Sequence, residues 1–227
     1  MSELEAAIPS CEACPRLREY CTEVARDKVK RFADWTYHGR PVPGFGDPSA
    51  RVLVVGLAPA AHGANRTGRL FTGDRSGDFL FAALHRAGLA SQSDSARLDD
   101  GLSLHDVYIG IAARCAPPAN RPTPEELANC QPFLQREIEL LASLRVIVAL
   151  GGIAHDAVVR SVGAPAGSPR LGFSHGAVHR LANGLQLLDS YHVSQQNTFT
   201  GRLTPAMLDE IFAQAQTLAS LPAVARS

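Results

Sequence analysis

Apolar residues along the chain gather in short β-branched runs set between longer stretches of helical period. Residues 51–57, with Val52, Leu53, Val54 and Val55 in succession, read as a buried strand bounded by turn residues, as do 107–112 and 145–150. Between them lie helical patterns. Residues 15–36 mix apolar and charged positions at helical spacing, and 76–89 carry Phe79, Leu80, Ala83, Leu84 and Ala87 as one stripe. A helix starting at Thr123-Pro124-Glu125-Glu126 and running to 144 has Thr as N-cap, Pro in its first turn and acids at its positive end. Further helices are expected over 153–162 and 204–218. Asn183-Gly184 between apolar runs predicts a two-residue hairpin, whose second arm, 185–191, leads to His192. This alternation predicts an α/β fold: one domain over 1–227, with three layers around a mainly parallel sheet. Ligands collect beyond the carboxyl ends of such strands, so loops 57–75, 113–122, 151–153 and 192–201 should share one rim.

The 227 residues carry 22 Lys+Arg against 22 Asp+Glu, and 45% are hydrophobic. That balance suits a soluble domain with a full core and excludes wholesale disorder and a polybasic binder. It leaves nucleic acid open, because charge can be sorted between faces. No apolar run approaches the roughly 18 residues of a bilayer span, so no membrane partner is expected. The acidic start at Glu3 and Glu5 is unlike a signal peptide, and a cytoplasmic protein is expected. All but two of the basic residues are Arg, the exceptions being Lys28 and Lys30. Arg66, Arg69 and Arg75 cluster in one glycine-rich loop, and Arg suits bidentate phosphate contacts.

Five cysteines occur. Cys11 and Cys14 form a CxxC pair at the chain start, and Cys115 and Cys130 lie about 100 residues later, separated by fourteen residues. CxxC is a chelate spacing, and a disulfide is disfavoured in a cytoplasmic chain. Four thiolates fit either tetrahedral zinc or a [4Fe–4S] cluster, and spacing alone does not separate the two. Cys21 is the spare. Either group would tie the N-terminal segment to the loop after the second strand.

The run Gly56-Leu57-Ala58-Pro59-Ala60-Ala61-His62-Gly63 leaves a strand for a loop that is neither GxGxxG nor a Walker loop. Phe71-Thr72-Gly73-Asp74 continues it, Arg114-Cys115-Ala116-Pro117-Pro118-Ala119-Asn120-Arg121 follows the second strand, and His192-Val193-Ser194-Gln195-Gln196-Asn197 stands far downstream. In this order, and with the four cysteines, the segments resemble the uracil-DNA glycosylase superfamily, specifically its family 5. The resemblance spans residues 11–197. It implies an α/β/α sandwich with a mainly parallel four-stranded sheet, and it favours a [4Fe–4S] cluster on Cys11, Cys14, Cys115 and Cys130 over zinc. It also implies removal of uracil from damaged double-stranded or single-stranded DNA, by a monomer working at the nucleoid.

Excision of a base needs an extruded nucleotide, a stabilised anionic leaving base and a tolerated oxocarbenium-like sugar. The resemblance places His192 as donor to the leaving base, while Phe71 is suited to stack on it. Gly56, Ala58, Ala60 and Ala112 are the remaining expected pocket residues. The water-activating Asp or Asn of sister families is missing beside Pro59, and Asp74, assisted by Asn120, is the expected substitute. Sister families also set a uracil-reading Asn on the second strand; here that stretch is Ile111-Ala112, which predicts a pocket that also takes hypoxanthine and modified pyrimidines such as ethenocytosine. Ser194, Gln195, Gln196 and Asn197, with Arg66 and Arg69, are the expected DNA contacts; Arg75 and Arg202 are further phosphate candidates. Neither lysine lies near these motifs, which disfavours a Schiff-base lyase. A non-catalytic iron–sulfur damage sensor and a redox iron–sulfur protein are the alternative readings.

Overall fold

The computed structural model describes residues 1–220. In chain order the elements are α1 (Ser2–Ala7), α2 (Pro15–Asp27), β1 (Phe45–Gly46), β2 (Val52–Gly56), α3 (Ala64–Thr67) and α4 (Arg75–Arg86). There follow β3 (Val107–Ile111), α5 (Pro124–Leu140), β4 (Val146–Leu150), α6 (Gly152–Val162), β5 (Val178–Arg180), β6 (Gln186–Ser190), α7 (Gln195–Phe199) and α8 (Pro205–Ser220). The sheet order is β1-β3-β2-β4-β6-β5. The four inner strands are mutually parallel, and β1 and β5 pair antiparallel at the two edges. The sheet therefore has six strands instead of four. The two additions are short: β1 spans two residues, and the outer positions of β5 are exposed, so neither carries an apolar run.

Parallel strands with both faces covered read as continuous apolar runs, and β2, β3 and β4 are buried at every position. Alternate residues then face opposite layers. Val52 and Val54 pack with Phe81 and Leu84 of α4 and Phe212 of α8, whereas Leu53 and Val55 pack with Leu134 and Ile138 of α5 and Val158 of α6. Three layers result. No helix among the described residues is long and apolar enough to cross a membrane.

Local chemistry sets the element ends. Thr123 Oγ1 accepts from the Glu126 amide at 3.2 Å while Glu126 Oε2 accepts from the Thr123 amide at 2.7 Å, a reciprocal capping box that starts α5 as expected. The expected helix over 15–36 stops at Asp27. Past it, Phe32 and Trp35 turn to the guanidinium of Arg66, whose Cζ lies 3.8 and 4.0 Å from their ring centroids. The hairpin is also longer than two residues: the Gly184 amide bonds the Leu181 carbonyl, the Leu181 amide bonds the Leu185 carbonyl, and Gly184 has φ +83°. Asn183 stays at negative φ, so this is a three-residue loop closed by a left-handed glycine, not a tight primed turn.

Candidate active site

The carboxyl ends of β2, β3 and β6 open on a cavity of about 630 Å³. Leu57, Ala58, Ala60, Phe71, Asp74 and Ser76 line it from the segment after β2; Ile111 and Asn120 line it from the β3 side; His192, Ser194, Gln195 and Gln196 close it from beyond β6. Leu57, Ser76 and Arg121 are not singled out by the sequence, whereas Ile111 is one of the two positions it offers on the second strand. Each of the three adjoins a residue that is: Leu57 lies between Gly56 and Ala58, Ser76 follows Arg75 and Arg121 follows Asn120. The fourth expected loop supports from behind: a Cβ on Gly151 would lie 3.2 Å from His192 Cβ.

Phe71 occupies its wall in a left-handed conformation, φ +53°. Two glycines make this possible, since a Cβ on Gly56 would lie 2.6 Å from Phe71 Cζ and one on Gly77 only 1.7 Å from the Phe71 carbonyl oxygen. Gly56 thus leaves room for the ring instead of lining the cavity. Ala119 (φ +52°) and Asn120 (φ +55°) are left-handed too. Among the described residues, three of the four non-glycine residues of positive φ therefore face this cavity, a concentration of backbone strain that marks functional sites.

Asp74 does two things at once. As the N-cap of α4 its Oδ1 accepts from the Gly77 amide at 3.0 Å, while the Oδ2 side lies over Gly63. Burial raises its pKa above the ordinary carboxylate value, against the pull of the amides of Gly77 and Ser76. His192 is held by a bond from Asn197 Nδ2 to its carbonyl oxygen at 2.8 Å, so Asn197 acts on the loop instead of lining the cavity. Desolvation lowers the His192 pKa to about 4, and the ring is neutral at pH 7.

That shift has a checkable consequence. In the unfolded chain the imidazole binds a proton near pH 6.5, in the folded chain only near 4, so its contribution to stability is present above 6.5 and lost as pH falls towards 4. The single-turnover rate should show no inflexion at pH 6–7 from this group. An inflexion there that vanishes in His192→Gln would contradict a neutral imidazole.

Other expected site residues lie elsewhere. Ala112 faces the α5–α6 layer, opposite to Ile111, because successive side chains of a strand alternate. Arg66 and Arg69 are turned inward. Arg66 donates to the carbonyls of His62 (2.8 Å) and Gly73 (3.0 Å) between its two aromatic rings. Arg69 pairs with Asp100 at 2.7 Å and donates to Ser95 and Thr72 hydroxyls. Neither presents a guanidinium to a phosphate. Exposed Arg75 remains beside the cavity; with Arg31, Asp78, Gln195 and Phe199 it lines an adjoining hollow of about 550 Å³. Arg202 is exposed over the Tyr191 ring.

The cysteines gather on the β3 side. Cys14, Cys21 and Cys115 pack in one buried cluster with Leu17 and Ala116. Cys130 on α5 receives the Arg114 amide at 3.4 Å, and Cys14 receives Asn129 Nδ2 at 3.5 Å. Burial pushes the Cys130 thiol up to about 11. Arg16 of α2 grips Glu126 of α5 through two 2.7 Å bonds and so joins the two cysteine-bearing segments.

A family model described as the Uracil DNA glycosylase superfamily matches residues 43–216. The chain belongs to that superfamily. It is 56% identical over 221 residues to a Type-5 uracil-DNA glycosylase of Mycobacterium leprae (strain TN), covering 96% of each chain. To a Type-5 uracil-DNA glycosylase of Thermus thermophilus it is 51% identical over 214 residues, 94% of this chain and 96% of the relative. A Type-4 uracil-DNA glycosylase of Thermotoga maritima is 36% identical over 141 residues, 60% of this chain and 65% of that one.

Proposed function

We propose that this chain is a monofunctional DNA glycosylase that hydrolyses the bond joining uracil to deoxyribose, leaving an abasic site. One observation carries the chemistry: His192, Phe71, Asp74 and Asn120, drawn from three separate segments, face one cavity beyond the strand ends. Extrusion of the nucleotide costs a few kcal/mol, least at a mismatch. Phe71 stacks on the extruded base, a contact worth about 1–3 kcal/mol. As the C1′–N1 bond breaks, its electron pair leaves with the base, and the neutral His192 ring donates to the carbonyl oxygen where that charge collects. Asp74 faces the sugar carbon as an anion or orients the water that adds to it, assisted by the Asn120 amide; the water's hydroxyl ends on C1′ and its proton passes to the departing base. Ser194, Gln195, Gln196 and the loop-bracing Asn197 form the DNA face, with exposed Arg31, Arg75, Arg121 and Arg202 as the cations available to phosphates. Neither lysine lines the cavity, in keeping with hydrolysis without a Schiff base. The chain acts as a monomer in the cytoplasm, on double- or single-stranded DNA.

Cys11, Cys14, Cys115 and Cys130 would hold a [4Fe–4S] cluster. Cys14 and Cys115 share one buried cluster, Cys130 is buried on α5 and Cys11 stands three positions before Cys14, so the donor set is thiolate alone; that set suits either group, and the resemblance to family 5 favours iron–sulfur. When bound, the cluster supplies ligation energy that braces the fold. Ligation by Cys11 and Cys14 on one side and Cys115 and Cys130 on the other would pin the N-terminal segment to the loop that carries Asn120.

The test is direct. Purified protein is incubated with duplex oligonucleotides bearing uracil, hypoxanthine or ethenocytosine, and abasic sites are cleaved with alkali. Strand scission at uracil is expected; binding without scission would leave only a damage-sensing role. No side-chain amide reaches the cavity from β3, and hypoxanthine and ethenocytosine are accepted alongside uracil. Ile111→Asn should raise the preference for uracil over hypoxanthine about tenfold or more. An unchanged ratio would count against this view of the pocket.

A further inference from the structure

Behind the hairpin, away from the residues assigned to base excision, three side chains bring ligand atoms within 4.8 Å of one another: His155 of α6, His179 of β5 and Asp189 of β6. His155 and Asp189 are fully buried, and the His179 side chain is 16% exposed. His155 Nδ1 lies 2.8 Å from Asp189 Oδ1, and His179 Nε2 lies 3.3 Å from Asp189 Oδ2. The Ser174 amide donates to Oδ2 at 3.3 Å.

The proton count at His155 is the informative feature. Its Nε2 lies 3.1 Å from the Leu171 carbonyl oxygen, which can only accept, so the ring proton is on Nε2. A neutral ring then turns a bare Nδ1 lone pair on a carboxylate oxygen 2.8 Å away, and two lone pairs cannot share that gap without a positive charge between them. An imidazole that donates one nitrogen's proton to a backbone carbonyl while the other faces a carboxylate and a second imidazole is the arrangement of a metal-ligating histidine with its outer support. Two imidazoles and one carboxylate suit zinc, with a fourth position left for water. The half-buried His179 and the exposed loop at Gly172 and Ser174 give the ion a way in.

We infer that His155, His179 and Asp189 form a binding site for a divalent transition-metal ion of zinc type, separate from the cysteines. The ion would join α6 to β5 and β6 beneath the 171–177 loop, whose Leu171 carbonyl and Ser174 amide bond His155 and Asp189. That loop in turn holds the residue before His192: the Tyr191 amide donates to His175 Nδ1 at 3.1 Å, and the two rings stack at 4.7 Å.

The test uses the full chain, chelator-treated without loss of its cysteine-bound group, titrated with Zn²⁺ by calorimetry at pH 7.5. One equivalent should bind at this site and raise Tm, with X-ray absorption showing nitrogen and oxygen ligands at about 2.0–2.2 Å. His179→Phe, at a partly exposed position that spares the buried pair, should weaken binding by about 100-fold or more, and Asp189→Asn likewise. Three results would overturn the assignment: no uptake by the wild type, unchanged affinity in the folded His179→Phe protein, or a sulfur shell around the bound zinc. Absent uptake together with a nitrogen-15 signal of doubly protonated His155 would show that a proton, not a metal, fills the gap. Uracil excision can succeed or fail independently of each of these readouts.

Discussion

His192→Ala slows uracil excision about 100- to 1000-fold, the loss expected when one preorganised donor to a developing anion is removed. The loss belongs in the chemical step and not in binding. His192 is neutral and desolvated, so its N–H costs little to hold in the cavity and gains most when charge builds on the base oxygen. Single-turnover rates on a uracil duplex should fall while the dissociation constant for DNA carrying a non-cleavable uridine analogue moves by less than about threefold, since ground-state contacts come mainly from the stack and the phosphates. A substrate whose base leaves easily, such as 5-fluorouracil, should recover part of the rate. Equal losses in binding and in rate would make His192 a binding residue instead.

Arg114→Met should cost about 3–5 kcal/mol, the second large effect, and this one falls on stability. Arg114 is 1% exposed and pairs with Glu137, which is 0% exposed, in the layer between β3 and α5. The carboxylate lies against two backbones that have no side chain: a Cβ on Gly44 would meet Glu137 Oε1 at 2.5 Å and one on Gly110 would meet Oε2 at 2.7 Å. Removing the guanidinium strands that carboxylate where no water replaces it. For a chain of this size Tm should drop by roughly 6–20 °C. The double variant Arg114→Met/Glu137→Met should recover much of the loss, because apolar replacement of both partners avoids the stranded charge. Melting curves of the two variants separate the cases, and a single variant as stable as the wild type would refute the argument.

Much of this architecture could be read from the chain because the chemistry that fixes it is local. The β-branched runs of β2, β3 and β4 and the reciprocal Thr123–Glu126 cap need no knowledge of distant residues. The cavity was legible through the order of its motifs, and His192, Phe71, Asp74 and Asn120 do meet there. What could not be read depends on partners far away in sequence. Arg69 looks like a surface cation until Asp100, 31 positions on, is placed against it. Arg66 likewise waits for Phe32 and Trp35. Ala112 was misplaced for a different reason: one residue of parity on a strand reverses the face, and a short run buried on both sides has no polar alternation to fix it. Of the two antiparallel edges, the hairpin that pairs β5 with β6 was signalled by Asn183-Gly184, whereas β1 escaped because two residues carry no periodicity.

The left-handed trio around the cavity sets a limit on how robust this enzyme can become. Each such residue holds back about 1–3 kcal/mol that the rest of the molecule must offset. Relaxing Phe71, Ala119 or Asn120 to ordinary geometry would toughen the protein against heat, yet it would swing the stacking ring or the amide away from an incoming nucleotide. Lineages that need hardier versions should therefore accumulate their gains in the helical layers and leave these three torsions untouched.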